Sequence, residues 1–256
     1  MANSGARFTD VDLGNKRLPA CFGYVAHQLV PLEEAMKKLR SLLIEIDRFI
    51  KEAKRHCTYP NDDNLTKDES AALYLYTMQM AGDASVYQIL NQTLRLEDRS
   101  QLIPWFGYLK LFDTAAGKLP KFKGIVWRGV NKDLSKAFKK NQKITWWSIS
   151  SCSKAVHVIK EFLGDAPKST LFHIKCRNGR SISDFTCYPQ EDEVILMPGT
   201  ILQVVGEPLD HGSINIVDLK EIDDDDSSED EESGETASAK TVKKTENKFS
   251  EITLSK

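Results

Sequence analysis

The change of hydrophobic pattern at Pro120 is the feature that most restricts what this chain can fold into. Before Pro120, apolar residues recur at spacings of three and four, which is the period of a helix with one buried side. After it, short segments rich in branched and aromatic residues follow one another, which is typical of strands. Helices first and strands second predict an α+β domain with a mainly antiparallel sheet, and not a doubly wound parallel one.

The helical half is predicted to contain four helices. Residues 31–49 carry a single apolar stripe, and residues 66–78 open with Thr-Lys-Asp-Glu, which has the form of a capping box. Two further amphipathic stretches cover residues 85–94 and 105–119. The strand candidates in the second half are residues 124–130, 143–150, 169–176, 200–205 and 213–220.

A short strand with two carboxylates at its start is the most unusual segment. Val194 to Met197 is an apolar run closed by Pro198-Gly199, which predicts a buried strand that ends in a turn. If the preceding residues are also extended, Glu191 and Glu193 point to one face of the strand. Two carboxylates beside a buried strand are unfavourable unless a cation or a proton donor meets them, so this segment is a candidate site.

Length and composition set the domain boundaries. With 256 residues and 41% hydrophobic content, the chain can bury one substantial core. Residues 1–20 are polar and without period, and we expect a loosely ordered lead-in that carries no recognisable motif. Residues 21–222 form the predicted domain. Residues 223–256 contain an acidic block and then a basic one with almost no apolar content, which predicts a disordered tail.

Several classes of protein are disfavoured by the sequence. The net charge is −2, so there is no global basic surface and no nucleic-acid partner is expected. Neither a secretory signal nor a membrane span is apparent, and a cytoplasmic or nuclear location is therefore expected. The five cysteines and five histidines show no metal-ligand spacing, so no metal is predicted. Signatures of dinucleotide-binding Rossmann domains, P-loop enzymes, zinc proteases and α/β-hydrolases do not occur.

Three motifs occur in a fixed order. Arg128 lies in Val-Trp-Arg-Gly-Val, residues 146–151 read Trp-Trp-Ser-Ile-Ser-Ser, and Glu191-Asp-Glu193 is followed by Pro-Gly-Thr. Together they resemble the arginine-serine-glutamate class of NAD-dependent mono-ADP-ribosyltransferases, in the arginine-specific branch that carries E-x-E. The resemblance runs from about Leu65 to Val205. Further segments similar to that family are Leu65-Thr66-x-Asp68-Glu69, Leu90-Asn91-x-x-Leu94-Arg95 and Asn178-Gly179-x-x-Ile182.

The resemblance implies an ADP-ribosyltransferase fold with a helical region on a mixed, two-sheet β core. It also implies transfer of ADP-ribose from NAD to arginine side chains of acceptor proteins, with release of nicotinamide. Glu193 would hold the ribose 2'-hydroxyl, and its charge becomes more valuable as positive charge develops on the sugar. Glu191 would orient the acceptor guanidinium, and Arg128 would bind the pyrophosphate or the nearby ribose.

Four more residues receive roles from the same resemblance. Gly129 would let the backbone approach the nicotinamide amide. Ser148 would hold the ribose or Glu193 by a hydrogen bond. Phe162 would stack on nicotinamide, whose ring is cationic. Tyr188, just before the carboxylates, would recognise the acceptor.

Other interpretations remain open at the level of the sequence. An NAD glycohydrolase without a protein acceptor would carry the same motifs, although Glu191 argues for an arginine acceptor. A non-catalytic module that binds NAD or ADP-ribose is another alternative. Glu191 and Glu193 could also be an exposed acidic turn, with Arg128 at the surface. A poly-ADP-ribose polymerase is disfavoured because position 128 is arginine where that class has histidine.

Overall fold

The last helix of the helical half ends at Lys118 and the first strand begins at Lys121, so the change of pattern at Pro120 coincides with the change of architecture. The computed structural model describes residues 6–9, 18, 23–80, 85–164 and 168–223, and the elements below belong to one unit that ends at Glu221. The predicted tail lies outside the described residues from residue 224 onward, and most of the lead-in also lies outside them. In the described ranges, no helix is both long and apolar enough to cross a membrane.

The helices and strands follow the predicted order. The α-helices are α1 Ala6–Thr9, α2 Leu32–Ala35, α3 Ile46–His56, α4 Lys67–Thr77, α5 Val86–Leu94, α6 Phe106–Lys118 and α7 Val156–Leu163. The strands are β1 Lys121–Val130, β2 Lys143–Trp146, β3 Ser150–Ser153, β4 Ser169–Ser181, β5 Glu193–Leu196, β6 Thr200–Val204, β7 Leu209–His211 and β8 Ile214–Glu221. The prediction of an α+β domain is therefore confirmed.

The predicted helix over residues 31–49 is broken in the structure. It consists of α2, a 3-10 turn at Lys37–Leu39 and the start of α3, and Glu45 before α3 has a left-handed backbone with φ of 57°. Most apolar residues of the predicted stripe are nevertheless buried, namely Leu32, Ala35, Met36, Leu39, Leu43 and Ile46, whereas Leu42 is 51% exposed and Phe49 is half-buried. The spacing therefore predicted most of the side chains that enter the core, but it could not locate the breaks in the helix.

The strands form a mixed and mainly antiparallel sheet, as expected. In the described residues the hydrogen-bonded order is β1-β3-β5-β4-β8-β6-β2, with β7 on β8 and an additional pairing of β1 with β4. Among the strands of the described ranges, β4 and β8 are the one parallel pair. The pairings of β1 with β3, β3 with β5, β5 with β4 and β4 with β1 close a ring of four strands.

Strand β5 lies between two cores, which explains its uninterrupted apolar sequence. Ile195 belongs to the apolar cluster of the helical half, whereas Val194 and Leu196 belong to the cluster between the strands. All four residues of β5 are buried. The predicted turn follows at Gly199, where φ is +90°. A strand buried on both faces has few places for a charged side chain, so Glu193 at its first position needs neutralising partners.

The capping box predicted at the start of α4 is present. The Glu69 backbone amide donates to Thr66 Oγ1 at 3.3 Å, and the Thr66 amide donates to Glu69 Oε2 at 2.7 Å. Lys118 from α6 donates to the same Glu69 oxygen at 2.7 Å, so the cap also ties α4 to α6.

We expect Thr66→Ala to lower the free energy of unfolding by about 1 kcal/mol, because the N-terminal amide of α4 loses its side-chain acceptor. Chemical denaturation of the two proteins measures this difference. Thr66→Ser keeps the hydroxyl and is the matched control, which should stay close to the unchanged protein. Equal stability of the alanine and serine variants would contradict the assigned cap.

Candidate active site

Three neighbouring strands bring the sequence motifs together. Arg128 lies on β1, the serine cluster continues into β3, and Glu193 begins β5. Ser153 is the Cα partner of Trp127 on β1 and of Glu193 on β5, so β3 separates the two predicted site residues by one strand. This register places the arginine and the glutamate on the two sides of a serine-rich strand.

Arg128 is a buried arginine and not a surface one, with 1% of its surface exposed. Its Nη1 donates to the backbone oxygens of Ser151 and of Arg7, the latter at 3.0 Å. Its guanidinium also lies 5.8 Å from the centre of the Trp146 ring. The planar group is held by strand β3 on one side and an indole on another, so its orientation is fixed before any ligand arrives.

The two predicted glutamates are buried and converge, but not by the extended geometry that the sequence suggested. Glu191 ends a 3-10 turn at Pro189–Glu191, Asp192 has a left-handed backbone with φ of 49°, and Glu193 begins β5. Asp192 thereby turns outward and pairs with Lys154 at 3.1 Å. The interpretation of the E-x-E segment as an exposed acidic turn does not hold for either glutamate, since they are 3% and 0% exposed.

A guanidinium occupies the space between these carboxylates. Arg7 Nη2 lies 2.5 Å from Glu191 Oε2 and 3.2 Å from Glu193 Oε2. Arg7 Nη1 donates to the carbonyl oxygen of Thr77 at 3.0 Å, and the guanidinium carbon is 5.2 Å from the centre of the Tyr188 ring. Two carboxylates, one carbonyl and one aromatic face therefore form a pocket that binds an arginine side chain.

The electrostatics of the pocket favour the charged form of its arginine. Burial acts to lower the pKa of Arg7, but the charges of Glu193 and Glu191 outweigh it and raise that pKa above its usual value. Burial and then the charge of Glu193 raise the pKa of the nearby Tyr76, which stays a neutral hydroxyl. The cluster of Arg7, Arg128, Glu191 and Glu193 thus contains two positive and two negative groups.

Phe162 and Gly129 lie on facing elements beside this cluster. Phe162, on α7, is half-buried, and its ring stacks on that of Phe8, with centres 5.2 Å apart and an interplanar angle of 11°. A Cβ at Gly129 would come within 2.7 Å of Ile159 and 2.9 Å of Leu163. Close packing of α7 on β1 is therefore sufficient reason for a glycine at position 129. The predicted contact of Gly129 with nicotinamide stays a prediction.

Ser148 lies before the strand that contacts Arg128, and not on it. It falls in the link between β2 and β3, and its predicted role stays a prediction. The predicted single strand over 143–150 is interrupted there, because β2 pairs with β6 whereas β3 pairs with β1 and β5. Ser151 is the serine that meets Arg128 through its carbonyl.

The link before β3 is held by the helical half. Asn91 on α5 donates from Nδ2 to the Ile149 carbonyl at 3.0 Å and accepts from the Ile149 amide at 3.1 Å. Tyr76 on α4 donates to the same carbonyl and contacts the Ser151 hydroxyl, each at 3.3 Å. Two helices therefore fix the position at which β3 begins.

The turn that precedes the glutamates is anchored to the end of α4. The Cys187 amide donates to Thr77 Oγ1 at 2.9 Å, and Ser153 Oγ donates to the Glu191 carbonyl at 2.7 Å. Tyr188 lies between these two anchors and faces Arg7. Its predicted role in acceptor recognition stays a prediction.

Several residues of the cluster were missed by sequence reasoning. Arg7 and Phe8 fall in a polar segment without period, and Thr77 contributes only a backbone oxygen and a hydroxyl. Ser151 stood in the predicted serine cluster, and only the register of β3 distinguishes it from Ser148. Across the described ranges, no group of three or more histidine, cysteine or acidic side chains is arranged to hold a metal ion.

Comparisons with known proteins agree with this architecture. Residues 26–227 match the family model described as NAD:arginine ADP-ribosyltransferase. No curated protein sequence matches the chain in a direct comparison.

Three solved structures illustrate the similarity. The Vis toxin, an ADP-ribosyltransferase from Vibrio splendidus, is 20% identical with a TM-score of 0.52, over 79% of this chain and 91% of that one. The ADP-ribosyltransferase HopU1 of Pseudomonas syringae is 20% identical with a TM-score of 0.54, over 86% and 95%. The eukaryotic mono-ADP-ribosyltransferase ART2.2 is 17% identical with a TM-score of 0.54, over 88% and 96%. At these identities the likeness shows the fold.

We expect Asn91→Ala to lower the free energy of unfolding by about 1 to 3 kcal/mol, because the Ile149 amide loses its acceptor and the Ile149 carbonyl keeps only the Tyr76 hydroxyl as a donor. Chemical denaturation measures the loss. Gln92→Ala, on the exposed side of the same helix, is the matched control and should change stability by less than about 0.5 kcal/mol. A loss of stability in Asn91→Ala no larger than that in Gln92→Ala would contradict the role of the two Asn91 hydrogen bonds in holding Ile149.

Proposed function

The chain belongs to the NAD:arginine ADP-ribosyltransferase family, and we propose that it transfers ADP-ribose from NAD to arginine side chains of acceptor proteins, with release of nicotinamide. Membership of the family and the fold support a transferase that uses NAD. The acceptor and the roles of individual residues are part of the proposal.

One observation carries the choice of arginine as the acceptor. The carboxylates of Glu191 and Glu193 already bind a guanidinium, that of Arg7, at 2.5 and 3.2 Å. A planar group with several N–H donors suits two carboxylates and a carbonyl oxygen better than a lysine ammonium does. A structure of Vis contains agmatine, a small molecule that carries a guanidinium, which supports the same chemistry in a protein of this fold.

In the proposed cleavage step, the bond between C1' of the ribose and the nicotinamide nitrogen breaks, and the electron pair leaves with nicotinamide. Nicotinamide is cationic in NAD and neutral after departure, so it needs no general acid. Positive charge develops on the ribose instead. Glu193 accepts a hydrogen bond from the 2'-hydroxyl and stabilises that charge, an interaction that grows towards the transition state.

In the transfer step, a nitrogen of the acceptor guanidinium attacks C1' and later loses a proton. Glu191 holds the guanidinium by hydrogen bonds and directs one nitrogen towards the sugar. Tyr188 covers a face of the guanidinium, as it covers Arg7 at 5.2 Å. When no acceptor is bound, water takes its place and free ADP-ribose is the product.

The remaining residues bind and orient NAD in this proposal. Arg128 binds the pyrophosphate or the adjoining ribose through its fixed guanidinium, and Phe162 stacks on the nicotinamide ring. Gly129 allows the backbone of β1 to come close to the nicotinamide amide. We assign the serine role to Ser151 in preference to Ser148, because the Ser151 hydroxyl faces Tyr76 within the cluster.

The two glutamates should separate cleavage from transfer. Glu193→Gln should lower nicotinamide release about 100-fold or more, because an interaction worth several kcal/mol in the transition state is lost. Glu191→Gln should keep NAD hydrolysis but lose labelling of an arginine-containing acceptor. Cleavage is measured as release of nicotinamide, and transfer is measured by mass spectrometry of the modified acceptor residue. Equal activity of Glu193→Gln and the unchanged protein would refute the assignment.

The serine assignment has its own test. Ser151→Ala should lower kcat/KM for NAD about tenfold to 100-fold, because a hydrogen bond near a charged group is lost. Ser148→Ala is the matched control and should stay within about twofold. The reverse order of the two effects would return the role to Ser148 and remove Ser151 from the site.

A further inference from the structure

The short helix α1 lies on the elements that carry the proposed NAD-binding residues. It packs against β1, β3 and α7, which bear Arg128, Ser151 and Phe162. Within α1, Arg7 is 1% exposed and Phe8 is 0% exposed. A polar N-terminal segment is not expected to bury an arginine and a phenylalanine completely unless a formed cavity receives them.

The contacts of α1 use the same groups that the proposed reaction uses. The carbonyl oxygen of Arg7 accepts a hydrogen bond from Arg128 Nη1 at 3.0 Å, where a phosphate or ribose oxygen would accept it. The Phe8 ring lies parallel to the Phe162 ring, with an interplanar angle of 11°, as a flat nicotinamide ring would. NAD that used the same Nη1 donor of Arg128 and the same face of the Phe162 ring would have to displace α1.

The positive charge of Arg7 in α1 also matches the negative charges of the site. Arg7 supplies the positive charge that the buried carboxylates of Glu191 and Glu193 require, and it does so at the place of the acceptor guanidinium. Without Arg7, the cluster would contain two buried carboxylates and one cation, Arg128. A site in this state would attract an incoming cation, whether an acceptor side chain or a developing sugar charge.

We propose that residues 6–9 are an intramolecular occupant that competes with NAD, so that turnover requires the segment to leave the site. The inference rests on the proposed function, because it takes the cluster around Glu193 as the NAD site. The segment imitates both substrates: its aromatic ring and backbone oxygen stand in for NAD, and its guanidinium stands in for the acceptor. Arg7 in this position is therefore a blocking group and not a substrate.

Kinetics of a double variant test the competition. In the unchanged protein, the apparent affinity for NAD is reduced because only the molecules with an open site can bind it. In Arg7→Ala/Phe8→Ala the site is always open, so KM for NAD should fall about tenfold or more while kcat changes by less than about twofold. Arg40→Ala removes an exposed arginine that pairs with Asp47 at 2.9 Å and is the matched control, with no change expected. An unchanged KM in the double variant would overturn the proposal and leave the proposed function standing.

A peptide tests the same contact without relying on turnover. A fluorescent peptide of residues 4–12, Ser-Gly-Ala-Arg-Phe-Thr-Asp-Val-Asp, should bind the double variant and be displaced by NAD. The same peptide with alanine at both replaced positions should not bind. Peptide binding that NAD does not displace, in a variant that neither binds nor cleaves NAD, would instead refute the proposed function and the competition with it.

Hydrogen exchange on the unchanged chain covers the case in which the double variant does not fold. Saturation with NAD should increase exchange at the backbone amides of residues 6–9, because the segment leaves the site. At the same time it should decrease exchange around Arg128 and Phe162. Unchanged or increased protection of residues 6–9 would show that NAD and the segment bind together, and would overturn the proposal.

Discussion

The need to neutralise two buried carboxylates governs this structure. Glu193 begins a strand that lies between two apolar cores, and Glu191 is buried on the turn before it. In such surroundings a pair of negative charges is tolerated only if cations and hydrogen-bond donors meet it. Arg7 contacts both glutamates directly, and Arg128 lies one strand away. An enzyme that must stabilise positive charge on a sugar has a use for carboxylates held in such a place.

The surrounding fold holds the charged groups rigidly. A closed ring of four strands carries Arg128 and Glu193, so neither can shift without loss of ladder hydrogen bonds. Asn91 and Tyr76 attach the start of β3 to the helices, and Thr77 attaches the turn before Glu191 to α4. The helical half thus acts as the frame that sets the distance between the serine strand and the turn. The helical core also supports the site by apolar packing, because Ile149 before β3 and Ile195 on β5 belong to its cluster.

Periodicity and motifs predicted the larger elements because each has a local cause. The capping box at Thr66 and the doubly buried strand β5 were visible in the sequence, since a cap and an apolar run are local patterns. The break at Glu45 was not visible in the sequence, because the apolar residues before and after it, such as Leu43 and Ile46, are buried at the spacing that a continuous helix would have. The choice between Ser148 and Ser151 depends on strand register, which a serine-rich segment does not fix. The presence of Arg7 in the site depends on a contact across 184 residues, for which a single sequence offers no signal.

The left-handed residue Asp192 divides the two glutamates between different kinds of structure. Glu193 is part of the sheet and inherits its rigidity, whereas Glu191 lies on a turn outside the strands. Ser153 on β3 holds this turn through the backbone carbonyl of Glu191, so the side chain at position 191 can change without loss of that hydrogen bond. Under the proposed roles, replacement of the side chain at position 191 would alter acceptor choice while Glu193 keeps its place in the sheet. Evolutionary change of acceptor specificity is then expected in the turn and not in the strand.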